Sequence, residues 1–145
     1  MLIDLDLTLV DSQIAAAVRK NRRWPAVYEM IPRFTPYDGV SELLVELTEN
    51  DIGVCVVTSS PQSYCSRVLK HFDWKGNKTV CYHDTSRHKP DPDPLLQGLK
   101  LLKIQPQHAA RIAVRFNVSL PSAPPAEQQS AEKTTHSQTC HQRQP

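Results

Sequence analysis

The feature that most constrains the fold is the apolar run Ile-Gly-Val-Cys-Val-Val-Thr at residues 52–58. A nearly continuous apolar run rich in Val is typical of a parallel strand that helices cover on both faces. The segments on either side, residues 36–51 and 59–72, repeat apolar residues at intervals of three and four, which predicts amphipathic helices. The sequence therefore predicts a buried strand between two helices.

Three further segments, residues 2–5, 79–83 and 111–114, have strand character, and residues 91–104 predict another helix. Strands that alternate with helices imply right-handed crossovers between parallel neighbours. The predicted fold class is therefore α/β, with a Rossmann-like, doubly wound parallel sheet. The expected N-caps of the three helices are Asp38, then Ser60 with Pro61 at the first helical position, and then Asp91 or Asp93.

Residues 13–35, called the insert below, begin with helical spacing and are interrupted at Pro25. We expect a helix and a loop, and little more. The insert also carries a basic cluster, which we interpret as a solvated helix face, with contact to an anionic substrate or partner as the alternative. The cluster consists of Arg19, Lys20, Arg22 and Arg23. It lacks the interleaved aromatic residues that are typical of nucleic-acid binders.

Charge and cysteine usage exclude several classes of function. The net charge of +2 is too small to indicate a nucleic acid or an anionic membrane as partner. No apolar run approaches the ~18 residues of a membrane span, and no secretory signal is visible, so we expect a cytoplasmic protein. Cys81, His83 and His88 match no strong zinc pattern. The cysteines lack CxxC spacing and are expected to be free thiols; they are Cys55, Cys65, Cys81 and Cys140.

The stretch 2–12 (LIDLDLTLVDS) is densely acidic for a strand, with Asp4, Asp6 and Asp11 among aliphatic residues. Residues two apart on a strand point to the same side, so Asp4 and Asp6 can reach one cavity. One carboxylate can act as a nucleophile toward a phosphoryl group, and the other can act as general acid and base. Two acids also attract a hard cation such as Mg²⁺. Solvated turn residues or helix caps are the alternative interpretation.

Two further side chains extend this candidate site. Thr58 ends the strand at 52–58, and its hydroxyl can bind a phosphoryl oxygen, although a β-branched strand residue is the simpler explanation. Lys89 can offset the charge of phosphoryl oxygens and of Asp4, although lysines in polar loops are usually solvated. Ligands of doubly wound sheets bind beyond the carboxyl ends of the strands. We therefore expect Asp4, Thr58 and residues 83–84 to converge.

The chain carries three motifs whose order along the sequence resembles that of the haloacid dehalogenase-like (HAD) hydrolase superfamily, and of its phosphoglycolate-phosphatase-like members in particular. They are Asp4-Leu5-Asp6-Leu7-Thr8, the strand that ends in Thr58, and Lys89-Pro90-Asp91-Pro92 before a helix. The resemblance covers roughly residues 2–114.

The resemblance assigns roles to individual residues. It implies that Asp4 is the nucleophile and that Asp6 is the general acid and base. It also implies that Mg²⁺ binds to Asp4 and to the main-chain carbonyl of Asp6, and that Thr58 and Lys89 bind phosphate. Leu7 stands where many members have Gly, which makes a less flexible turn.

The C-terminal part departs from the resemblance. Members of the superfamily end the next strand in Gly-Asp or Asp-Asp, followed by another Asp, and these acids complete the Mg²⁺ site. Here residues 111–114 are followed by Arg115, and no Asp occurs after Asp93. We therefore expect an incomplete metal site and an incomplete C-terminal edge of the sheet. The short insert further implies a minimal cap, or none, over an open site.

Two regions are expected in the chain. Residues 1–116 are predicted to form a partial HAD-like hydrolase domain, and residues 117–145 a disordered low-complexity tail. The tail has Val118 and Leu120 as its only large aliphatic residues, so it cannot bury enough apolar surface to offset its chain entropy. The abrupt change of character favours a reading-frame change or an aberrant splice near residues 111–115.

The expected function is that of a Mg²⁺-dependent phosphatase that works through an aspartyl-phosphate intermediate. Its phosphorylated substrate cannot be identified from the sequence, and the missing fourth acid predicts weak or absent turnover. The alternative is a catalytically silent HAD-like domain that binds phosphate or a protein partner. Neither a nucleic acid nor a membrane is an expected partner.

Overall fold

A computed structural model describes residues 1–112 and has a four-stranded parallel sheet at its centre. The strands of this part of the chain are β1 (Leu2–Ile3), β2 (Val10–Asp11), β3 (Thr35–Pro36), β4 (Cys55–Val57), β5 (Lys78–Val80) and β6 (Arg111–Ile112). The sheet order is β5–β4–β1–β6, and in its register Ile3 lies opposite Val56 and Ile112. The predicted parallel α/β fold is therefore confirmed.

Helices cover both faces of the sheet. The α-helices of residues 1–112 are α1 (Ala16–Lys20), α2 (Trp24–Met30), α3 (Val40–Glu49), α4 (Gln62–His71) and α5 (Asp93–Leu102). Neighbouring side chains of a strand point to opposite faces, so Ile3 and Leu2 enter different cores. The first core joins Ile3 and Val56 to α3 and α4. The second joins Leu2 and Cys55 to α5.

Helix α5 lies very close to the sheet. A Cβ atom added at Gly98 would lie 2.9 Å from Cδ2 of Leu2, so a larger residue would require the Leu2 side chain to shift. The N-cap of the helix is Pro92 and not one of the predicted aspartates. The Asp93 N–H nevertheless donates to Oδ1 of Asp91 at 2.9 Å. The carboxylate thereby satisfies one of the unpaired donors of the first turn.

The strands are shorter than the apolar runs that predicted them. β4 occupies Cys55–Val57 of the predicted 52–58, and β1 ends at Ile3 instead of residue 5. β5 ends at Val80, and the predicted strand residues 82–83 belong to a 3₁₀ helix at Tyr82–Asp84. The Asp84 carboxylate accepts the N–H of Cys81 at 2.7 Å, which curls the chain out of the sheet.

The two other predicted helix caps are also wrong. Gly39, with a φ of 78°, precedes α3, and Pro61 precedes α4. Neither helix has a side-chain cap, so Asp38 and Ser60 do not have the roles that their sequence positions suggested. Glycine fits the left-handed conformation before α3 without a steric penalty. The Ser60 hydroxyl faces the candidate site, as described below.

The insert forms more structure than the predicted helix and loop. The chain turns between α1 and α2, where Arg22 has a φ of 54°. Pro25 lies in the first turn of α2, where a missing N–H breaks no helical hydrogen bond. Strands β2 and β3 pair antiparallel at the two ends of the insert. The insert is held against α4 by apolar side chains in the first core, among them Val27, Ile31 and Phe34.

Some predictions concern residues outside the described part of the chain. These are the continuation of the last strand to residue 114, the environment of Arg115, the domain boundary at 116 and the tail 117–145. Within residues 1–112, no helix combines the length and apolarity that crossing a membrane requires.

Candidate active site

A cavity of about 400 Å³ opens at the carboxyl ends of the central strands, and we call it the Asp4 cavity. Asp4 directly follows β1, and Thr58 directly follows β4. The structure therefore brings these predicted residues together, as the position of ligand sites in doubly wound sheets leads one to expect. The cavity is lined by Asp4, Asp6, Leu7, Thr8, Arg19, Lys20, Arg22, Trp24, residues 58–61, Tyr82 and His83.

Asp4 and Lys89 form a buried ion pair. Lys89 Nζ donates to Oδ1 of Asp4 at 2.5 Å and to the carbonyl oxygen of Val57 at 2.7 Å. The two side chains are only 10% and 6% exposed. Burial raises the pKa of Asp4, and the positive charge of Lys89 opposes that rise. The lysine thus offsets the cost of holding a carboxylate away from water.

Thr58 lies between two strand ends. Its N–H donates to the carbonyl oxygen of Val80, and its hydroxyl oxygen accepts the N–H of Ser60 at 3.1 Å. The residue is buried and lines the Asp4 cavity. A hydroxyl has one donor and two acceptor sites, so the bond from Ser60 does not use the hydroxyl proton. Thr58 can offer that proton to an anion in the cavity.

The Asp6 carboxylate is held by four donors. Oδ1 accepts from the Ser12 hydroxyl at 2.8 Å and from the Tyr64 hydroxyl at 2.6 Å. Oδ2 accepts from the Ser60 hydroxyl at 3.2 Å and lies 2.6 Å from Nη1 of Arg19. These contacts fix the orientation of Asp6 beside Asp4.

Sequence reasoning missed the side chains that surround Asp6. Ser60 was expected to be a helix cap, and Tyr64 lies in the segment 59–72 that was expected to form an amphipathic helix. Tyr64 is fully buried, yet its hydroxyl bonds Asp6. Burial and the charge of Asp6 raise the pKa of Tyr64, so the phenol remains a donor. A buried Tyr usually has a partner for its hydroxyl, but the sequence does not identify the partner.

Arg19 corrects the interpretation of the basic cluster. It was expected on a solvated face, but its side chain is 16% exposed and paired with Asp6. Lys20 and Arg22 also line the Asp4 cavity, and the Arg22 guanidinium lies 5.5 Å from the centre of the Tyr82 ring. Arg23 is exposed and does not line the cavity. The insert therefore forms one wall of the cavity.

Leu7 makes the tight turn after Asp6. Its φ is 58°, in the left-handed region that glycine adopts freely and that costs a leucine roughly 1–2 kcal/mol. The turn is closed by a main-chain bond of ordinary length, in which the Leu7 N–H donates to the Val10 carbonyl oxygen at 2.9 Å. The leucine that stands where many members of the resembled superfamily have Gly therefore adopts a conformation that favours glycine.

The cavity offers few acidic donors for a metal ion. Within residues 1–112, no three His, Cys, Asp or Glu side chains form a metal-binding cluster. Asp4 and Asp6 are the acidic residues of the cavity lining, and protein donors already occupy both carboxylate oxygens of Asp6. His88 stacks on Tyr82 with a ring separation of 4.0 Å. Cys81, His83 and His88 do not form such a cluster in the part of the chain that the structure describes.

The cysteines of the described residues are free thiols, as predicted. Cys55, Cys65 and Cys81 are all buried. Burial raises the pKa of Cys55 to about 12, so this thiol stays protonated. Cys140 lies outside the described part of the chain.

Comparisons with known proteins identify relatives of this chain. A family model described as haloacid dehalogenase-like hydrolase matches residues 19–112. One relative is a protein of Caldanaerobacter subterraneus subsp. tengcongensis, provisionally named pyrophosphatase PpaX, to which this chain is 39% identical over 77 residues. The match includes 52% of this chain and 35% of that protein. It is 33% identical over 73 residues to the N-acetylmuramic acid 6-phosphate phosphatase of Pseudomonas aeruginosa, with 49% of this chain and 32% of that protein covered. The chain spans about a third of the length of these curated relatives.

A solved structure shares the fold. The crystal structure of a Lactobacillus plantarum protein, provisionally named phosphoglycolate phosphatase, superposes with a TM-score of 0.66 at 20% sequence identity. The superposition covers 77% of this chain and 75% of the other. The sheet and helices of this chain therefore have the same arrangement as those of the neighbour.

Proposed function

Because the chain belongs to the haloacid dehalogenase-like hydrolase family, we propose that it hydrolyses phosphate monoesters through a covalent phosphoryl group on Asp4. The observation that carries the proposal is the buried pair of Asp4 and Lys89 beside Thr58 at the carboxyl ends of β1 and β4. A nucleophilic carboxylate, a fixed positive charge and a hydroxyl donor are the groups that phosphoryl transfer needs.

In the first step, a carboxylate oxygen of Asp4 attacks phosphorus, and the bond from phosphorus to the ester oxygen breaks. Asp6, which lies two residues along the chain, takes up a proton from solvent when the substrate binds and gives it to the ester oxygen as that oxygen leaves. Lys89 and Thr58 stabilise the negative charge on the phosphoryl oxygens. The preorganised bonds of Lys89 to Asp4 and to the Val57 carbonyl hold the ammonium in place.

In the second step, the carboxylate of Asp6 takes a proton from a water molecule, and the water oxygen attacks phosphorus. The bond between phosphorus and Asp4 breaks, inorganic phosphate leaves, and both carboxyl groups return to their starting states. The donors around Asp6 hold its side chain in one orientation in the cavity wall. Ser12, Ser60 and Tyr64 are accordingly positioning residues in this proposal.

Magnesium is the cofactor that we propose for this site. The Asp4 carboxylate and the main-chain carbonyl of Asp6 would hold the ion, because both carboxylate oxygens of Asp6 already accept from protein donors. When bound, Mg²⁺ would neutralise negative charge on the phosphoryl group. In proteins this ion commonly keeps several water ligands and also binds a phosphate of the substrate. With two such protein donors and no Asp after Asp93, we propose weak binding and slow turnover.

Hydrolysis of p-nitrophenyl phosphate tests the proposal, with and without Mg²⁺, in wild type and in Asp4→Asn. Asp38→Asn is the matched control, because it makes the same chemical change at an exposed carboxylate outside the cavity. We expect slow, Mg²⁺-dependent release of p-nitrophenol that falls by more than about 1,000-fold in Asp4→Asn. Asp38→Asn should retain the wild-type rate.

Two results would contradict the proposal. Turnover that survives in Asp4→Asn would exclude Asp4 as the nucleophile. No turnover by the wild-type chain, together with calorimetric binding of Mg²⁺ and beryllium fluoride, would instead support a silent phosphate-binding domain.

A further inference from the structure

Cys65 and Cys81 form a pair of thiols that the proposed reaction does not use. Cys65 lies near the start of α4, and Cys81 directly follows β5. Both side chains are buried in the first core, with exposed fractions of 0% and 2%. The Cys65 thiol donates a hydrogen bond to the sulfur of Cys81. The pair therefore connects α4 to the end of the strand that follows it in the chain.

The sulfur of Cys81 is the better nucleophile of the pair. Besides the bond from Cys65, it accepts the N–H of Asp84 in a capping box at the start of the 3₁₀ helix. The bond from Cys65 lowers the pKa of Cys81, although burial opposes this effect. The thiolate is the nucleophilic form of a cysteine. Cys55 differs, because burial raises its pKa and it lies in the second core.

The two cysteines adjoin residues of the candidate active site. Tyr64 precedes Cys65, and its hydroxyl donates to Asp6 at 2.6 Å. Tyr82 follows Cys81 and lines the cavity. A change in the position of either sulfur is therefore transmitted through one peptide unit to a side chain of the site. A small oxidant that enters the cavity also comes within one residue of Cys81.

We propose that Cys65 and Cys81 are a modification site for peroxides, which convert the two thiols to a disulfide. In the first step, the Cys81 sulfur attacks one oxygen of hydrogen peroxide and the oxygen–oxygen bond breaks. The departing oxygen takes the thiol proton and leaves as water, and Cys81 becomes a sulfenic acid. In the second step, the Cys65 sulfur attacks the Cys81 sulfur, and the sulfenic hydroxyl leaves as water with the Cys65 proton. The two thiols lose two hydrogen atoms, and the peroxide is reduced to two waters.

The arrangement favours the disulfide over other products of oxidation. A sulfenic acid condenses readily with a neighbouring thiol, and Cys65 is in contact with Cys81 before any oxidation. Because both side chains are buried, thiols from solution have little access to the sulfenic acid. Burial also slows the first attack, so we expect a slow reaction that goes to completion as the disulfide.

The disulfide should disturb the hydrogen bonds of Asp6. Two sulfur atoms in a disulfide are about 2.05 Å apart, which is shorter than any hydrogen-bond contact between thiols. The bond therefore pulls Cys65 toward Cys81 and moves the neighbouring Tyr64, whose hydroxyl donates to Asp6. This consequence rests on the proposed phosphatase function, whereas formation of the disulfide does not.

Peptide mapping of the full chain tests the inference. The reduced protein is treated with excess hydrogen peroxide, its remaining thiols are blocked with N-ethylmaleimide in denaturant, and it is digested with trypsin without reduction. Cys81 lies in the tryptic peptide 79–87, and Cys65 lies with Cys55 in the peptide 34–67. We expect these two peptides to be linked through Cys65, as fragmentation shows, with Cys55 blocked. Dithiothreitol should separate them.

Two alanine variants extend the test to activity. Peroxide should slow hydrolysis of p-nitrophenyl phosphate by wild type at least about 10-fold, because small displacements of catalytic groups reduce rates steeply. Dithiothreitol should restore the rate. Cys65→Ala should form no link to Cys81 and keep its rate in peroxide. Cys55→Ala is the matched control, because it makes the same change at another buried cysteine, and it should respond like wild type. Circular dichroism establishes that each variant is folded, and the wild-type map decides the matter if Cys65→Ala is not.

Several results would overturn the inference. The absence of a link between the two peptides in wild type would exclude the modification site, as would a link through Cys55 or Cys140 in place of Cys65. A link that leaves hydrolysis unchanged would exclude the effect on Asp6. If the link forms but the reduced chain does not hydrolyse p-nitrophenyl phosphate, the modification site stands and the phosphatase proposal falls. If hydrolysis is observed without any link, the reverse holds.

Discussion

Replacing Lys89 with methionine tests how strongly the ion pair with Asp4 contributes to the stability of the fold. Methionine is similar in length to lysine but carries no charge. The change removes both the partner of Asp4 and the donor to the carbonyl oxygen of Val57. Because the side chains of the pair are only 10% and 6% exposed, water cannot take over these roles without opening the site.

The expected magnitude follows from the burial of the pair. Removing one partner of a buried ion pair typically costs about 3–5 kcal/mol, because the other charge remains without compensation. The free energy of unfolding of a natural domain is about 5–15 kcal/mol. Lys89→Met should therefore lose a large part of its stability near neutral pH, as measured by urea unfolding followed by circular dichroism in the presence of EDTA.

The stability lost in Lys89→Met should depend on pH in a defined direction. Burial raises the pKa of Asp4 above its ordinary value of 3.8, and Lys89 lowers it. Without Lys89, the pKa of Asp4 in the folded protein rises further. A carboxyl group whose pKa is higher in the folded than in the unfolded protein makes its full contribution to stability at a pH below the unfolded pKa. This contribution is lost as the pH rises through the folded pKa. The difference in the free energy of unfolding between wild type and Lys89→Met should thus become smaller as the pH falls toward the ordinary pKa range of carboxyl groups.

The double variant Asp4→Asn/Lys89→Met controls for effects unrelated to the pair. Because it buries no unpaired charge, it should be more stable than Lys89→Met alone at neutral pH. A loss below about 1 kcal/mol in Lys89→Met, or purely additive effects in the double variant, would refute the idea that the two charges depend on each other.

Three further substitutions test packing and backbone at and near the site, each by urea unfolding. Leu7→Gly should stabilise the fold by about 0.5–1 kcal/mol, because relief of the left-handed strain exceeds the added chain entropy; destabilisation would argue against a strained turn. Gly98→Leu should cost about 1–3 kcal/mol by overpacking against Leu2, and a neutral effect would contradict the close approach of α5. Tyr64→Phe should cost about 1–2 kcal/mol by removing the hydroxyl bond to Asp6, and unchanged stability would exclude that bond.

The sequence predicts the arrangement of the fold because apolar spacing reports burial. The run at 52–58 and the flanking helices are where they were expected, and Asp4 and Thr58 lie at strand ends. Boundaries were less predictable, because they depend on local bonds such as that from the Cys81 N–H to Asp84. Such a bond competes with strand extension and leaves no periodic signal.

The candidate site was predictable only in part, for a related reason. Asp4, Asp6, Thr58 and Lys89 occur in short motifs with recognisable chemistry, whereas Arg19 belongs to a basic cluster that resembles a solvated surface. Its burial depends on the packing of the insert against α4. The four donors to Asp6 come from separate parts of the chain, and a single sequence does not show which of its hydroxyl groups and cations meet.

The central claim is that Asp4 carries the phosphoryl group during turnover, and locating that group tests it most directly. The wild-type chain is mixed with p-nitrophenyl phosphate and Mg²⁺, quenched in acid within a turnover and digested with trypsin. The peptide of residues 1–19 contains Asp4, Asp6 and Asp11, and its fragmentation by mass spectrometry distinguishes them. We predict a phosphoryl group on Asp4. Release of p-nitrophenol without a modified peptide, or with the group on Asp6, would contradict the account.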